Sequence, residues 1–219
     1  MIAGANILRI NEIFYSIQGE STRAGMPCVF VRLTGCGLRC AWCDTEYSFY
    51  DGAEMSFEEI IERISTYQCK TVEITGGEPL EQEMVFGFMS MLCDQGFDVM
   101  VETGGHVDIA PVDARVRRIV DLKCPASKME KRNRWENISL LSPLDEVKFV
   151  VADRTDYEWA AEKVRSLDLA NRCAAVLFSP VHDQLNNLEL SSWILQDRLP
   201  VRFHVQLHKY IWSPETRGV

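Results

Sequence analysis

Short apolar runs recur along this chain, and most of them end in a cluster of polar or glycine residues. Cys28–Leu33 (CVFVRL) is the first compact one and reads as a buried strand. Thr71–Thr75 ends in Gly-Gly-Glu-Pro, Phe97–Val101 in Glu-Thr-Gly-Gly, Arg118–Leu122 at Lys123, and Ala174–Phe178 in Ser-Pro, while Glu146–Val151 and Val201–Val205 complete the strand-like set. Helical patterns lie between them. Ser56 with Glu59 three residues on has the form of a capping box, and Phe57, Ile60, Ile61, Ile64 and Tyr67 follow at helical spacing. Leu80–Gln95 is helix-like up to Gly96, a helix capped at Thr155 or Asp156 is expected after Glu146–Val151, and a short one covers Leu190–Gln196. Strands alternating with helices imply a parallel sheet with helical crossovers. In such sheets the C-terminal strand ends form a common rim where ligands bind, which is where the polar clusters fall here.

A closed eightfold barrel takes roughly 250 residues. With 219 residues and six or seven strands, the expected architecture is α/β: an incomplete, partial TIM-type barrel of six or seven βα units with a parallel sheet, a single domain over residues 1–219. A doubly wound open sheet is the alternative. The formal charge of −9 disfavours direct binding of a nucleic-acid backbone by bulk charge. No apolar run approaches the roughly 20 residues of a membrane span, and the first ten residues lack the basic-then-apolar pattern of an export signal. A cytoplasmic, reducing setting is therefore expected. The eight cysteines then point to metals, catalysis or packing rather than disulfides.

Three of the eight crowd into Thr34-Gly-Cys36-Gly-Leu-Arg-Cys40-Ala-Trp-Cys43-Asp-Thr45, just past the first strand, on the expected rim. Soft thiolates at C-x3-C-x2-C select zinc or an iron–sulfur cluster. A closed site wants four protein ligands, and only three are close in sequence. If no fourth is supplied, one iron of a four-iron cluster stays open. A structural zinc with Cys28 as fourth ligand and a plain electron-transfer centre are the bland alternatives. Cys69, Cys93, Cys124 and Cys173 read as small core residues.

The cysteine loop, with the aromatic Trp42 just before its last cysteine, resembles that of the radical S-adenosylmethionine superfamily. The resemblance implies a 4Fe-4S cluster on Cys36, Cys40 and Cys43, with S-adenosyl-L-methionine on the open iron. Gly76-Gly77-Glu78 resembles the superfamily's GGE turn, whose backbone meets the cofactor's amino group. Trp42, Cys43, Asp44, Gly76, Gly77, Glu78, Asp121, Lys123, Ser179 and Pro180 are then expected to border the cofactor. Glu102, Thr103 and His208 could belong to the site, and the sequence leaves them open.

Four further stretches, Asn11–Ser21, Phe30–Cys36, Cys43–Thr45 and Gln206–Tyr210, together resemble the 7-carboxy-7-deazaguanine synthase family over nearly the whole chain. That resemblance implies a lyase acting on 6-carboxy-5,6,7,8-tetrahydropterin in queuosine biosynthesis, with hydrogen abstraction at C6, ring contraction and loss of ammonia. It also implies Mg2+, a flavodoxin- or ferredoxin-type electron donor and a homodimer. Ile17, Gln18, Gly19, Arg32 and Thr75 match its substrate contacts, and Thr45 matches its Mg2+ ligand. Arg32 offers a planar, permanently charged fork for the substrate carboxylate. Some members end shortly after the His-Lys segment, whereas here the chain runs on from Trp212 to Val219. The rival readings are a glycyl-radical-enzyme activase and a non-enzymatic iron–sulfur carrier.

Overall fold

The computed structural model describes residues 6–219. Strand β1 (Ile7–Ile17) pairs antiparallel with both β2 (Pro27–Leu33) and β3 (Ala53–Ser56). From β2 onward the sheet is parallel: β4 (Thr71–Gly76), β5 (Asp98–Thr103), β6 (Arg117–Asp121), β7 (Glu146–Val151), β8 (Ala175–Pro180) and the two-residue β9 (Arg202–Phe203). The order β3-β1-β2-β4-β5-β6-β7-β8-β9 never closes on itself. Seven parallel strands in an unclosed sheet match the partial barrel expected from the sequence. The antiparallel β1–β3 edge was not anticipated, because Ile7–Ile17 mixes Arg9, Asn11 and Glu12 into its apolar positions.

Helix α1 (Phe57–Ser65) follows β3 and shows why it starts where it does. The Ser56 hydroxyl accepts from the Glu59 backbone N–H at 3.2 Å, and the Glu59 carboxylate accepts from the Ser56 N–H at 2.7 Å. Phe57, Ile60 and Ile64 then face the sheet, fully buried. Replacing Ser56 with alanine is expected to cost about 1 kcal/mol, read as a lower urea midpoint at unchanged slope. The helix-like Leu80–Gln95 stretch splits into a single turn at Pro79–Glu81 and α2 (Met84–Asp94).

Two crossovers carry no α-helix. Residues 104–116, between β5 and β6, are held by the buried Asn137. Its amide donates to the Gly105 and Val107 carbonyls at 3.2 and 2.8 Å and accepts from Ile109 N–H at 3.3 Å. One buried side chain thus satisfies backbone groups that a helix would have paired internally. Between β6 and β7 there are only short 3-10 turns, the first opened by Pro125. Helix α3 (Arg154–Ser166) is capped by Asp153, not by Thr155 or Asp156. Asp156 is drawn inward instead, where its carboxylate accepts from Ala126 and Ala152 N–H at 2.9 and 3.1 Å and ties the helix to the β6–β7 loop. A single turn, α4 (Leu169–Arg172), leads into β8, and α5 (Asn187–Asp197) leads into β9. The final turn is α6 (His208–Ile211).

The main core fills the space between the outer sheet face and the helices. Phe57, Phe88, Phe149, Tyr157 and Phe178 are its largest members. The inner face is different. Phe14, Cys28, Phe30, Met100 and Ile119 form a small separate apolar cluster there. Above it, toward the C-terminal strand ends, the inward positions become polar.

Candidate active site

Side chains alternate faces along a strand, so the inward positions can be read at period two. They are Phe30 and Arg32 on β2, Glu73 and Thr75 on β4, Met100 and Glu102 on β5, Ile119 and Asp121 on β6, and Lys148 and Val150 on β7. The upper members of this set line a cavity of about 630 Å³, with Phe14 and Phe30 at its apolar base. The cavity opens at the C-terminal strand ends, the rim expected from the sequence.

The cysteine loop forms one wall, and Cys36, Cys40 and Cys43 all line the cavity. None of the other five cysteines does. Cys28 is buried in β2 within the small inner cluster. Among the described residues, no three His, Cys, Asp or Glu side chains converge closely enough to hold a single metal ion. Burial pushes the Cys36 thiol up to about 11, so seating a metal there displaces a proton.

The turn after β4 braces this loop. The Glu78 N–H donates to the Gly35 carbonyl at 2.8 Å and the Gly77 N–H to the Leu33 carbonyl at 3.3 Å. A Cβ on Gly77 would lie 2.1 Å from the Gly35 carbonyl oxygen and 2.7 Å from the Cys36 Cβ. Glycine is required there so that the two rim loops can touch. Gly76, Gly77 and Thr75 line the cavity, whereas Glu78 does not. The Glu78 carboxylate is spent on the backbone of Leu80 at 3.1 Å and Gly104 at 2.8 Å and on the Thr103 hydroxyl at 2.9 Å. It ties the ends of β4 and β5 together.

Ile17, Gln18, Gly19 and Arg32 line the same cavity. The Arg32 Nε donates to Glu12 at 2.7 Å, and the Tyr47 hydroxyl donates to the same carboxylate oxygen at 2.8 Å. Arg32 also lies against the rings of Phe14 and Tyr47, 5.7 and 5.8 Å from their centroids. The guanidinium is thus both ion-paired and turned into the cavity wall. Gly19 makes room for His208, whose ring would overlap any Cβ placed there. His208 lines the cavity.

Trp42, Asp44, Thr45, Asp121 and Lys123 line the cavity as well. Lys209 donates to Asp44 at 2.8 Å, and Lys123 pairs with Asp121 at 2.9 Å. Thr45 Oγ1 stands 3.8 Å from the Cys43 sulfur. Ser179 and Pro180 end β8 beside Val150 and Val151 and do not line this cavity; Pro180 borders a smaller adjoining one of about 370 Å³, which shares His182 and Gln206 with the first.

Sequence reading missed a charged belt across the inner sheet face. Lys148 is its hub. Its ammonium donates to the Glu20 carboxylate and to Glu102 at 2.6 Å, and lies 3.8 Å from Asp121. Burial alone would raise Glu20, but Lys148, His204 and Gln206 together hold it far below the usual carboxylate range. Glu102 is raised, because burial and the neighbouring Glu20 and Asp121 outweigh its share of Lys148. Glu73 is raised well above its ordinary value by burial and by Glu102 and Glu20. The available signal was a charge in the middle of two apolar runs, TVEIT and EVKFVV, where a strand buried on both faces should carry none.

Comparison with known proteins gives three findings. Residues 30–186 match the model of the Radical SAM superfamily. Two relatives, both 7-carboxy-7-deazaguanine synthases, are similar over nearly their whole lengths. The one from Koribacter versatilis is 46% identical, covering 97% of this chain and 100% of that protein. The one from Chlorobaculum tepidum is 47% identical, covering 97% of each. Among solved structures, QueE from Escherichia coli superposes with a TM-score of 0.76 at 23% identity, covering 92% of this chain and 95% of that one.

Proposed function

The chain belongs to the 7-carboxy-7-deazaguanine synthase family of the radical SAM superfamily, and from that footing we propose that its cavity carries out the ring contraction of 6-carboxy-5,6,7,8-tetrahydropterin to 7-carboxy-7-deazaguanine with loss of ammonia. The observation that supports this reading best is convergence. Segments far apart in sequence, the cysteine loop, the Gly76-Gly77 turn, Arg32, Gln18 and Thr75, line one cavity.

Cys36, Cys40 and Cys43 would hold the cluster by three corners. Bound there with S-adenosylmethionine, the cluster supplies a 5'-deoxyadenosyl radical able to abstract hydrogen from the substrate. The protein's own residues bind, orient and shield. Trp42, Asp44, Gly76, Gly77, Asp121 and Lys123 border the cofactor's place, and Glu78 acts on it at one remove by bracing the turn. The adenine end is assigned to the side of Ser179 and Pro180, toward the adjoining cavity. The Arg32 fork receives the substrate carboxylate, held flat between Phe14 and Tyr47 and aimed by Glu12. Thr45 offers a hard oxygen to Mg2+, which keeps most of its waters and takes further ligands from substrate. A flavodoxin- or ferredoxin-type donor, a homodimer and a cytoplasmic setting complete the proposal. Among the described residues, no helix is long and apolar enough to cross a membrane.

The direct test is anaerobic incubation of reconstituted protein with the carboxy-tetrahydropterin, S-adenosylmethionine, Mg2+ and a reductant. A product lighter by one ammonia is expected, and recovery of unchanged pterin would overturn the reading. Arg32→Ala should raise the Michaelis constant for the pterin roughly tenfold to a hundredfold, the worth of a charged hydrogen-bonded pair. Binding of S-adenosylmethionine, measured separately, should move far less.

A further inference from the structure

Each carboxylate of the belt can be assigned a cation among the described residues except one. Glu20 is taken by Lys148 and by the Gln206 amide at 2.8 Å. Glu102 and Asp121 share Lys148, and Asp121 also has Lys123 at 2.9 Å. Glu73 has no cation within ion-pair distance among the described residues; its side-chain partner is the Gln18 amide, which donates to it. The other end of Gln18 is fixed, since its carbonyl oxygen accepts from the Glu20 N–H at 2.9 Å. Glu73 is nearly inaccessible, 3% exposed, yet it lines the cavity. Its place is between Gln18 and Thr75, two residues on along the same face of β4.

A buried carboxylate with a single hydrogen-bond donor is costly unless a ligand completes it. The pyrimidine half of a pterin presents two donors side by side, the ring N3–H and the exocyclic 2-amino group. Two parallel N–H donors match the two oxygens of a carboxylate. We propose that Glu73 is the specificity-determining residue that reads the 2-amino, N3–H edge of the substrate, with Gln18 holding its carboxylate in place. This rests on the pterin reading of the cavity and deepens it. The groups facing Glu73 are Glu20 from the loop after β1, Glu102 from β5, Lys148 from β7 and the Cys28 thiol of β2. Burial and the acidic neighbours favour protonation of Glu73, and two N–H donors from the ligand favour its ionised form, so the carboxylate and the pterin edge stabilise one another.

The assignment predicts a reversal of preference, which a damaged protein cannot mimic. A glutamine at this position accepts with one atom and donates with the other. It therefore fits an analogue in which a 2-oxo group replaces the 2-amino group, the corresponding carboxy-tetrahydrolumazine. Binding of both compounds to the reconstituted protein would be measured by calorimetry without oxygen, with S-adenosylmethionine present. The wild-type protein should prefer the amino compound by roughly tenfold to a hundredfold, the worth of a buried mismatched hydrogen bond. Glu73→Gln should lose that preference and bind the oxo compound more tightly than the wild type does. An undiminished preference for the amino compound in Glu73→Gln would overturn the assignment. A wild-type protein that binds neither compound would overturn the pterin reading and this assignment with it. Wild-type binding of both without distinction would overturn the assignment alone.

Discussion

Alanine in place of Cys36, Cys40 or Cys43 will give a folded, colourless protein that neither retains its iron nor turns over the pterin. The three thiols are half-buried and belong to a loop, not to either apolar cluster. Their loss removes no core packing, so thermal unfolding of the iron-free variants should match that of iron-free wild type. A cluster held at three corners has no spare ligand, and none of the remaining cysteines reaches the cavity to replace one. Iron and sulfide content after reconstitution, visible absorption and product formation should fall together, to background. Cys28→Ala makes the contrast: it should keep the cluster and its activity but lose on the order of 1 kcal/mol of stability, since it deletes a wholly buried sulfur. Full iron content in any of the three loop variants would falsify the ligand assignment.

The second large effect is expected from Lys148→Met. The substitution removes the one cation shared by Glu20, Glu102 and Asp121 and leaves buried carboxylates facing one another. Breaking a buried charge network from one side costs about 3–5 kcal/mol. Urea unfolding near neutral pH should show a loss of that order. The Glu20 contribution to the pH dependence should also change sign. In the wild type, Glu20 is held below its unfolded value, so its contribution is present above the ordinary carboxylate range and is lost as pH falls from there through its far lower folded value. Without Lys148 the buried carboxylates bind protons more tightly when folded than when unfolded. The variant should therefore recover stability as pH falls toward their unfolded values and lose it again as pH rises. A variant with the wild-type slope would show that Lys148 does not govern these carboxylates.

Much of the parallel sheet was legible because each strand is apolar over most of its length and is cut short by glycine, proline or a charge. Glu146–Val151 lies where its pattern put it, and the Ser56–Glu59 box caps α1 as read. The cysteine loop was legible from spacing alone. Local pattern could not show what depends on distant partners. The β5–β6 crossover lacks a helix because Asn137, some 30 residues further on, pairs its backbone. The α3 cap lies at Asp153 because Asp156 is recruited by Ala126 across the fold. Glu78 read as a cofactor neighbour, but the three donors that occupy it come from its own loop and from β5. Glu73 and Lys148 were visible as charges inside apolar runs, and Glu102 as the residue that ends one. Only strand register places them beside one another, and no single run contains that register.

Beneath the charged belt, the cluster of Phe14, Cys28, Phe30, Met100 and Ile119 stops the chamber from below. The cysteine loop and the Gly77 turn stand at the other end, on the rim. Whatever binds against the belt is thereby held between an apolar floor and the loops of the rim.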